Sequence, residues 1–144
     1  MGINSLKNIK MKYSVLITML LILSYFGFSQ TRQANTPALD IVNQRMYFYN
    51  HHNFEKFINL YSDSIKVYTY PEKLLATGKD NLTSIFQPKF SAKSIRVKIV
   101  NQISNGDYVI NQEIVTENGT DTKYVSIYEV KNDLITSVKF VRDN

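Results

Sequence analysis

Three turn signals divide the C-terminal third of the chain into strands that must run back and forth beside one another. Asn105-Gly106, Asn118-Gly119 and Lys131-Asn132-Asp133 are short, and the Asn-Gly pairs favour the positive φ angles of tight hairpins. Between and around them, residues 94–103, 108–117, 123–130 and 134–142 are rich in β-branched and aromatic side chains. The spacing predicts a four-strand antiparallel meander with one face to be covered by something else.

The cover comes from the preceding stretch. Thr36-Pro37 reads as an N-cap followed by proline at the first helical position. Ala38, Ile41, Val42, Arg45, Met46 and Tyr49 then recur at helical spacing, and the helix is expected to end near Asn50-His51-His52. Asn53 caps a second short helix with Phe54, Phe57, Ile58 and Tyr61 on its buried side. Residues 64–70 alternate as a strand that Pro71 stops, and residues 74–77 make a short strand before Gly78. Residues 80–87 read as a third helix with Leu82, Ile85 and Phe86 inward, limited by Pro88. The expected fold is therefore α+β: a cone-shaped roll of curved antiparallel sheet wrapped around three N-terminal helices. It leaves a hollow at its mouth.

The first 29 residues have a different character. Lys7, Lys10 and Lys12 carry the charge of a basic leader, and the 14 residues from Val15 to Phe28 form an apolar run. A bilayer-spanning helix needs about 20 apolar residues, so this run is short. With the small residues Gly27 and Ser29 following, the segment reads as a signal peptide cleaved near Ser29/Gln30, with Met1 or Met11 as the start. An uncleaved anchor is the alternative. Residues 30–35 are expected to be a flexible tail and residues 36–144 the domain. The mature chain is then exported, periplasmic or secreted, with no membrane association after cleavage.

Charge bears on partners. The chain has 17 basic and 12 acidic residues, but three of the basic ones lie in the leader, leaving 14 against 12. Much of the high pI thus belongs to the leader, and no nucleic-acid partner is expected, since such partners need a clustered basic face. There is no cysteine, which removes disulfides, thiolate nucleophiles and thiolate metal ligands. His51 and His52 are adjacent, and neighbouring histidines cannot readily chelate one ion, so no metal is expected. No cofactor is implied.

The order Tyr49-Asn50-His51-His52-Asn53-Phe54, Tyr61-Ser62-Asp63, Pro71 and Gly78-Lys79-Asp80 resembles the nuclear transport factor 2-like superfamily, in its SnoaL-like or ketosteroid-isomerase-like branch. So do the closing Ile127-Tyr128-Glu129-Val130, Ile135 and Val138-Lys139-Phe140. The resemblance covers about residues 37–142. It implies a cone with a ligand pocket, and many such domains pair through the outer sheet face, so a homodimer is expected. The isomerase branch places a carboxylate base before the proline ending the first strand, where this chain has Tyr70. It places a tyrosine donor on the first helix, matched here by Arg45, and a protonated aspartate near Ser126. A tyrosine is a poor base near neutrality, so ketosteroid isomerase chemistry is not expected. The Asp-Arg-Asp set of the limonene-epoxide-hydrolase type cannot be assembled either.

Candidate pocket residues follow from strand parity. Tyr124, Ser126 and Tyr128 share one face, and the resemblance turns that face inward. Tyr68 and Tyr70 share a face of the first strand, and Tyr49 lies on the first helix. Tyrosine offers apolar area with a polar tip, which suits a small amphipathic molecule, although packing tyrosines would show the same pattern. Glu113 shares a face with Asn111; it is expected outward, paired with Arg96 or Lys98, and inward it would be the one strand carboxylate in the pocket. Arg45 interrupts an apolar helix face, and could bind an anionic ligand group, snorkel, or pair with Glu113. Three functions fit: a binding module, an isomerase, dehydratase or cyclase using Glu113 or Tyr70, and a protein-interaction module.

Overall fold

The computed structural model describes residues 36–142. The expected leader, its cleavage site and the tail at residues 30–35 lie outside them. The described residues hold three helices, α1 (Pro37–Asn50), α2 (Phe54–Ile58) and α3 (Lys79–Ser91). Their six strands are β1 (Tyr61–Thr69), β2 (Lys73–Thr77), β3 (Ile95–Asn105), β4 (Tyr108–Glu117), β5 (Thr120–Lys131) and β6 (Leu134–Arg142).

The strands form one curved, unclosed sheet in the order β2-β1-β6-β5-β4-β3. All neighbours are antiparallel except β1 and β6. The meander is present, and its turns explain its register. Asn118 (φ 51°) and Gly119 (φ 78°) form a two-residue turn between Glu117 and Thr120, and Asn132 (φ 51°) and Asp133 (φ 60°) form another between Lys131 and Leu134. Positive φ at both central residues matches the right-handed strand twist. The first turn is shifted by one from its signal. Asn105 pairs with Tyr108, so the loop is Gly106-Asp107, and only Gly106 has positive φ there (56°).

Helix α1 lies across the inner face of the meander. The Thr36 hydroxyl accepts from the Leu39 amide at 3.2 Å, satisfying one orphan donor of the first turn. Its buried stripe is Ala38, Leu39, Val42, Arg45, Met46 and Tyr49. At its far end the Asn50 side chain accepts from the Val97 amide (2.8 Å) and donates to the Val97 carbonyl (2.9 Å). A His52 ring nitrogen meets the Ile95 carbonyl at 2.9 Å. These bonds tie the helix end to β3, an edge strand whose free backbone groups would otherwise invite another chain. The two histidines thus close a turn.

Helix α3 overruns its expected stop: it continues through Pro88 to Ser91. An interior proline removes one helical bond and costs about 3 kcal/mol. The extra turn offsets this by burying Phe90 among Tyr49, Phe54, Phe57 and Phe86. The same turn carries Lys89, which matters at the pocket mouth.

Candidate functional site

Strand parity decides which side chains meet under α1. On β4, Val109, Asn111 and Glu113 are buried, while Ile110 and Gln112 are exposed. Glu113 is 2% exposed, so the expected outward position is corrected. The register gives the reason. Glu113 stands opposite Ile99 on β3 and Tyr124 on β5, whereas Arg96 and Lys98 stand opposite Thr116 and Ile114. A bulge at Val100 separates the two stretches of β3 register. Arg96 and Lys98 are exposed on the other face and do not reach Glu113.

Glu113 is the centre of a polar cluster. Its carboxylate accepts from the Ser126 hydroxyl at 2.7 Å and from the Tyr128 hydroxyl, which lies 3.4 Å from both oxygens. Asn111 donates to it from 3.4 Å. Ser126, Tyr128 and Asn111 are each fully buried. Asn111 in turn accepts from Gln102 at 2.9 Å, which carries the network to the edge strand.

Arg45 faces this cluster from α1. It is 4% exposed, so it does not snorkel. Its Nε donates to the Tyr61 hydroxyl at 2.8 Å, and its guanidinium carbon lies 5.2–5.3 Å from the ring centroids of Tyr49, Phe57 and Tyr128. A ring face is attractive to a desolvated cation, so this cage offsets part of the burial. Burial opposes the charge, but the oxygens of Tyr128, Tyr61 and Glu113 outweigh it, and the pKa of Arg45 is raised. Arg45 and Glu113 are coupled in this way without an ion pair at contact distance. The ion pairs among the described residues are Lys79–Asp63, Lys89–Glu117 and Lys131–Glu129. Burial raises the pKa of the Tyr61 and Tyr128 hydroxyls and pushes Tyr49 up to about 12, so all three stay protonated at neutral pH.

Above this floor opens a half-open pocket of about 640 Å³. Arg45, Tyr49 and Glu113 line its depth; Phe86, Val115 and Phe140 supply apolar wall. The mouth is formed by Tyr70, Leu75, Lys89, Glu117, Tyr124 and Arg142 among others. Lys89 and Glu117 pair there at 2.7 Å. Of the expected pocket tyrosines, Tyr49, Tyr70 and Tyr124 line it, while Tyr128 and Ser126 lie behind Glu113. Tyr70 sits beyond the end of β1 and is 65% exposed. Tyr68 is elsewhere. Ile65 and Val67 take the inner face of β1, so Tyr68 points out and lies under the Lys139 ammonium, 5.9 Å from its ring centroid. Tyr68 and Tyr70 therefore do not act as one face: Tyr68 points outward, and Tyr70, past the strand end, reaches the pocket mouth.

Sequence reasoning missed Tyr61 as the group holding Arg45, and missed Lys89 and Glu117. Glu117 had a signal: residues 113, 115 and 117 share a strand face, so turning Glu113 inward turns the others with it. Lys89 had none, because Pro88 implied that the helix had ended.

A family model for the SnoaL-like domain matches residues 42–138. No curated protein matches the chain. Among solved structures, an NTF2-like protein of unknown function from Cytophaga hutchinsonii is similar, with a TM-score of 0.66 at 14% identity; the match covers 77% of this chain and 94% of that one. An LEH-like epoxide hydrolase from Mycobacterium tuberculosis has a TM-score of 0.61 at 13% identity, covering 74% and 83%. A computationally designed 17-OHP binder has a TM-score of 0.64 at 14% identity, covering 74% and 91%. At such identities the likeness is one of fold. With a matching family model over most of the described residues and the same architecture in these structures, the chain belongs to the SnoaL-like family of the nuclear transport factor 2-like superfamily.

Proposed function

We propose that this protein is an exported binding module that holds a small amphipathic molecule in the pocket under α1. The observation that carries this reading is a half-open pocket whose walls are apolar and whose floor presents a buried arginine and carboxylate. A volume of about 640 Å³ lies within the range of small-molecule sites, and a few convergent polar groups in an apolar cleft are their usual signature. Binding without ketosteroid isomerase chemistry is supported by the three compared positions. Tyr70 is at the rim, Arg45 is held by Tyr61, and Ser126 is engaged by Glu113. Native mass spectrometry of the protein purified from its own host should show a bound small molecule that denaturation releases. A protein that is empty there, and that gives no saturable binding with polycyclic amphiphiles, overturns the reading.

Export rests on the basic leader and apolar run. The mature protein should begin near Gln30, and an intact residue 1–29 segment on the exported protein would refute cleavage. The homodimer has support in the outer sheet face, where Ile103, Ile110, Val125 and Val141 are exposed. Sedimentation that finds only monomer at micromolar concentration would remove it.

A second reading, an isomerase, dehydratase or cyclase, is favoured by one observation: Glu113 reaches the pocket and could move a proton there. Glu113→Gln would then abolish turnover of the bound molecule, whereas in a pure binder that molecule leaves unchanged.

A further inference from the structure

A buried arginine normally directs its donors to protein acceptors, because an uncompensated charge is costly away from water. Arg45 directs few of them there. Nε goes to Tyr61, and Nη1 meets only the Met46 thioether at 3.1 Å, a weak acceptor. No fully sealed side-chain nitrogen or oxygen among the described residues lacks a partner. The other terminal nitrogen of Arg45 has none, so it opens to the cavity that Arg45 lines. The Tyr49 hydroxyl is in the same position: its residue is buried and lines the cavity, and the hydroxyl makes no hydrogen bond to the described residues.

The charge around the pocket has one sign to spare. Its cations are Arg45, Lys89 and Arg142, and its anions are Glu113 and Glu117. Lys89 and Glu117 satisfy each other at the mouth. Glu113 is turned to Ser126, Tyr128 and Asn111 behind the wall. Glu113 answers the Arg45 charge from behind the wall, so the one positive charge left over is that of Arg142 at the mouth, while the open donors in the depth are those of Arg45 and Tyr49.

We propose that the ligand is an amphipathic monocarboxylic acid, its carboxylate set against Arg45 and Tyr49 and its ring system along Phe86, Val115 and Phe140. This rests on the ligand-binding reading above and adds the ligand's class. A carboxylate fits a guanidinium edge, and charge-assisted bonds in a site shielded from water exceed those to a neutral carbonyl. The apolar wall favours a flat, rigid body. A dianionic phosphate would exceed the single charge available.

The test compares naphthoic and anthroic acids with their primary amides, which keep shape and remove the charge. Titration at neutral pH should give the acids about tenfold tighter binding or better, which corresponds to about 1.4 kcal/mol. Arg45→Met, checked for folding by circular dichroism, should bring acid and amide to near equality, and Arg45→Lys should retain part of the preference. The comparison in the unmodified protein decides the matter even if Arg45→Met fails to fold. Amides that bind as tightly as the acids would overturn the assignment of an acid while leaving a binding pocket in place. No saturable binding by either would remove both.

Discussion

Two clusters share the interior, one on each side of Arg45. On the helix side, Tyr49, Phe54, Phe57, Phe86 and Phe90 meet mostly edge to face or tilted, with ring centroids 4.8–6.5 Å apart. On the sheet side, Asn111, Glu113, Ser126 and Tyr128 form a buried hydrogen-bonded set around one carboxylate. The first cluster gains from every atom taken out of water. The second must recover the hydration it has lost, and it does so bond by bond. A fold does not need the second cluster to be stable. Its presence behind a pocket is what separates a site from a core.

The contrast can be broken most severely at Phe57, which is fully buried within the aromatic cluster and carries the Arg45 guanidinium over its ring. Phe57→Ala should cost about 3–5 kcal/mol in urea denaturation, the usual loss for an aromatic core truncation. A loss below about 1 kcal/mol would mean that the cluster can collapse and is not the stable half. Next comes the charge on each side of the pocket floor. Arg45→Met should destabilise by about 3 kcal/mol, because it leaves the Glu113 carboxylate buried without a cation. Combining it with Glu113→Gln should lose less than the two single changes together, by about 1–3 kcal/mol. Strict additivity would show that the two residues do not form a unit.

The smallest effect sharpens the edge of the aromatic cluster at Tyr49, whose ring packs there and lies under the Arg45 guanidinium while its hydroxyl faces the cavity. Its folded pKa of about 12 lies above the unfolded value of 10.0, so the native state holds the phenol proton more tightly. The associated stability is complete below about pH 10 and is lost as pH rises from there through about 12. Tyr61 and Tyr128, also raised by burial, move in the same direction. Tyr49→Phe should make the alkaline loss smaller by about 2–3 kcal/mol, since each tenfold gain in proton affinity on folding is worth roughly 1.4 kcal/mol. Stability followed by denaturant midpoint against pH checks this, and identical curves for the two proteins would place the Tyr49 hydroxyl in water.

Much of this was legible in the chain. The limits of β4 and β6 and the Thr36 cap fell where their residues signalled them, since turns, caps and alternation are properties of neighbouring residues. Pro88 misled because its local penalty is outweighed by Phe90 reaching a distant cluster. Glu113 misled for a different reason. On β4, apolar residues occupy both faces, Val109 and Val115 on one and Ile110 and Ile114 on the other. Alternation sorted them into two sets without saying which set is inside. A preference for apolar interiors would have turned Ile110 and Ile114 inward. Instead the polar set of β4 and of β5 is buried, because α1 brings Arg45 and its aromatic cage over that face.

By itself, then, the sequence determined which stretches are strands and helices, and that the last four strands neighbour one another in chain order; the parallel pairing of β1 with β6 came from the tertiary structure. It also placed the chain in its family, because caps, turns and periodicity act over a few residues and survive in any tertiary setting. Only the tertiary structure decided which face of the sheet is inside and that Arg45 and Glu113 share a pocket. The physical reason is that a period of two defines two equivalent sides of a strand. The choice between them is made by what packs on top, some 70 residues away in the chain.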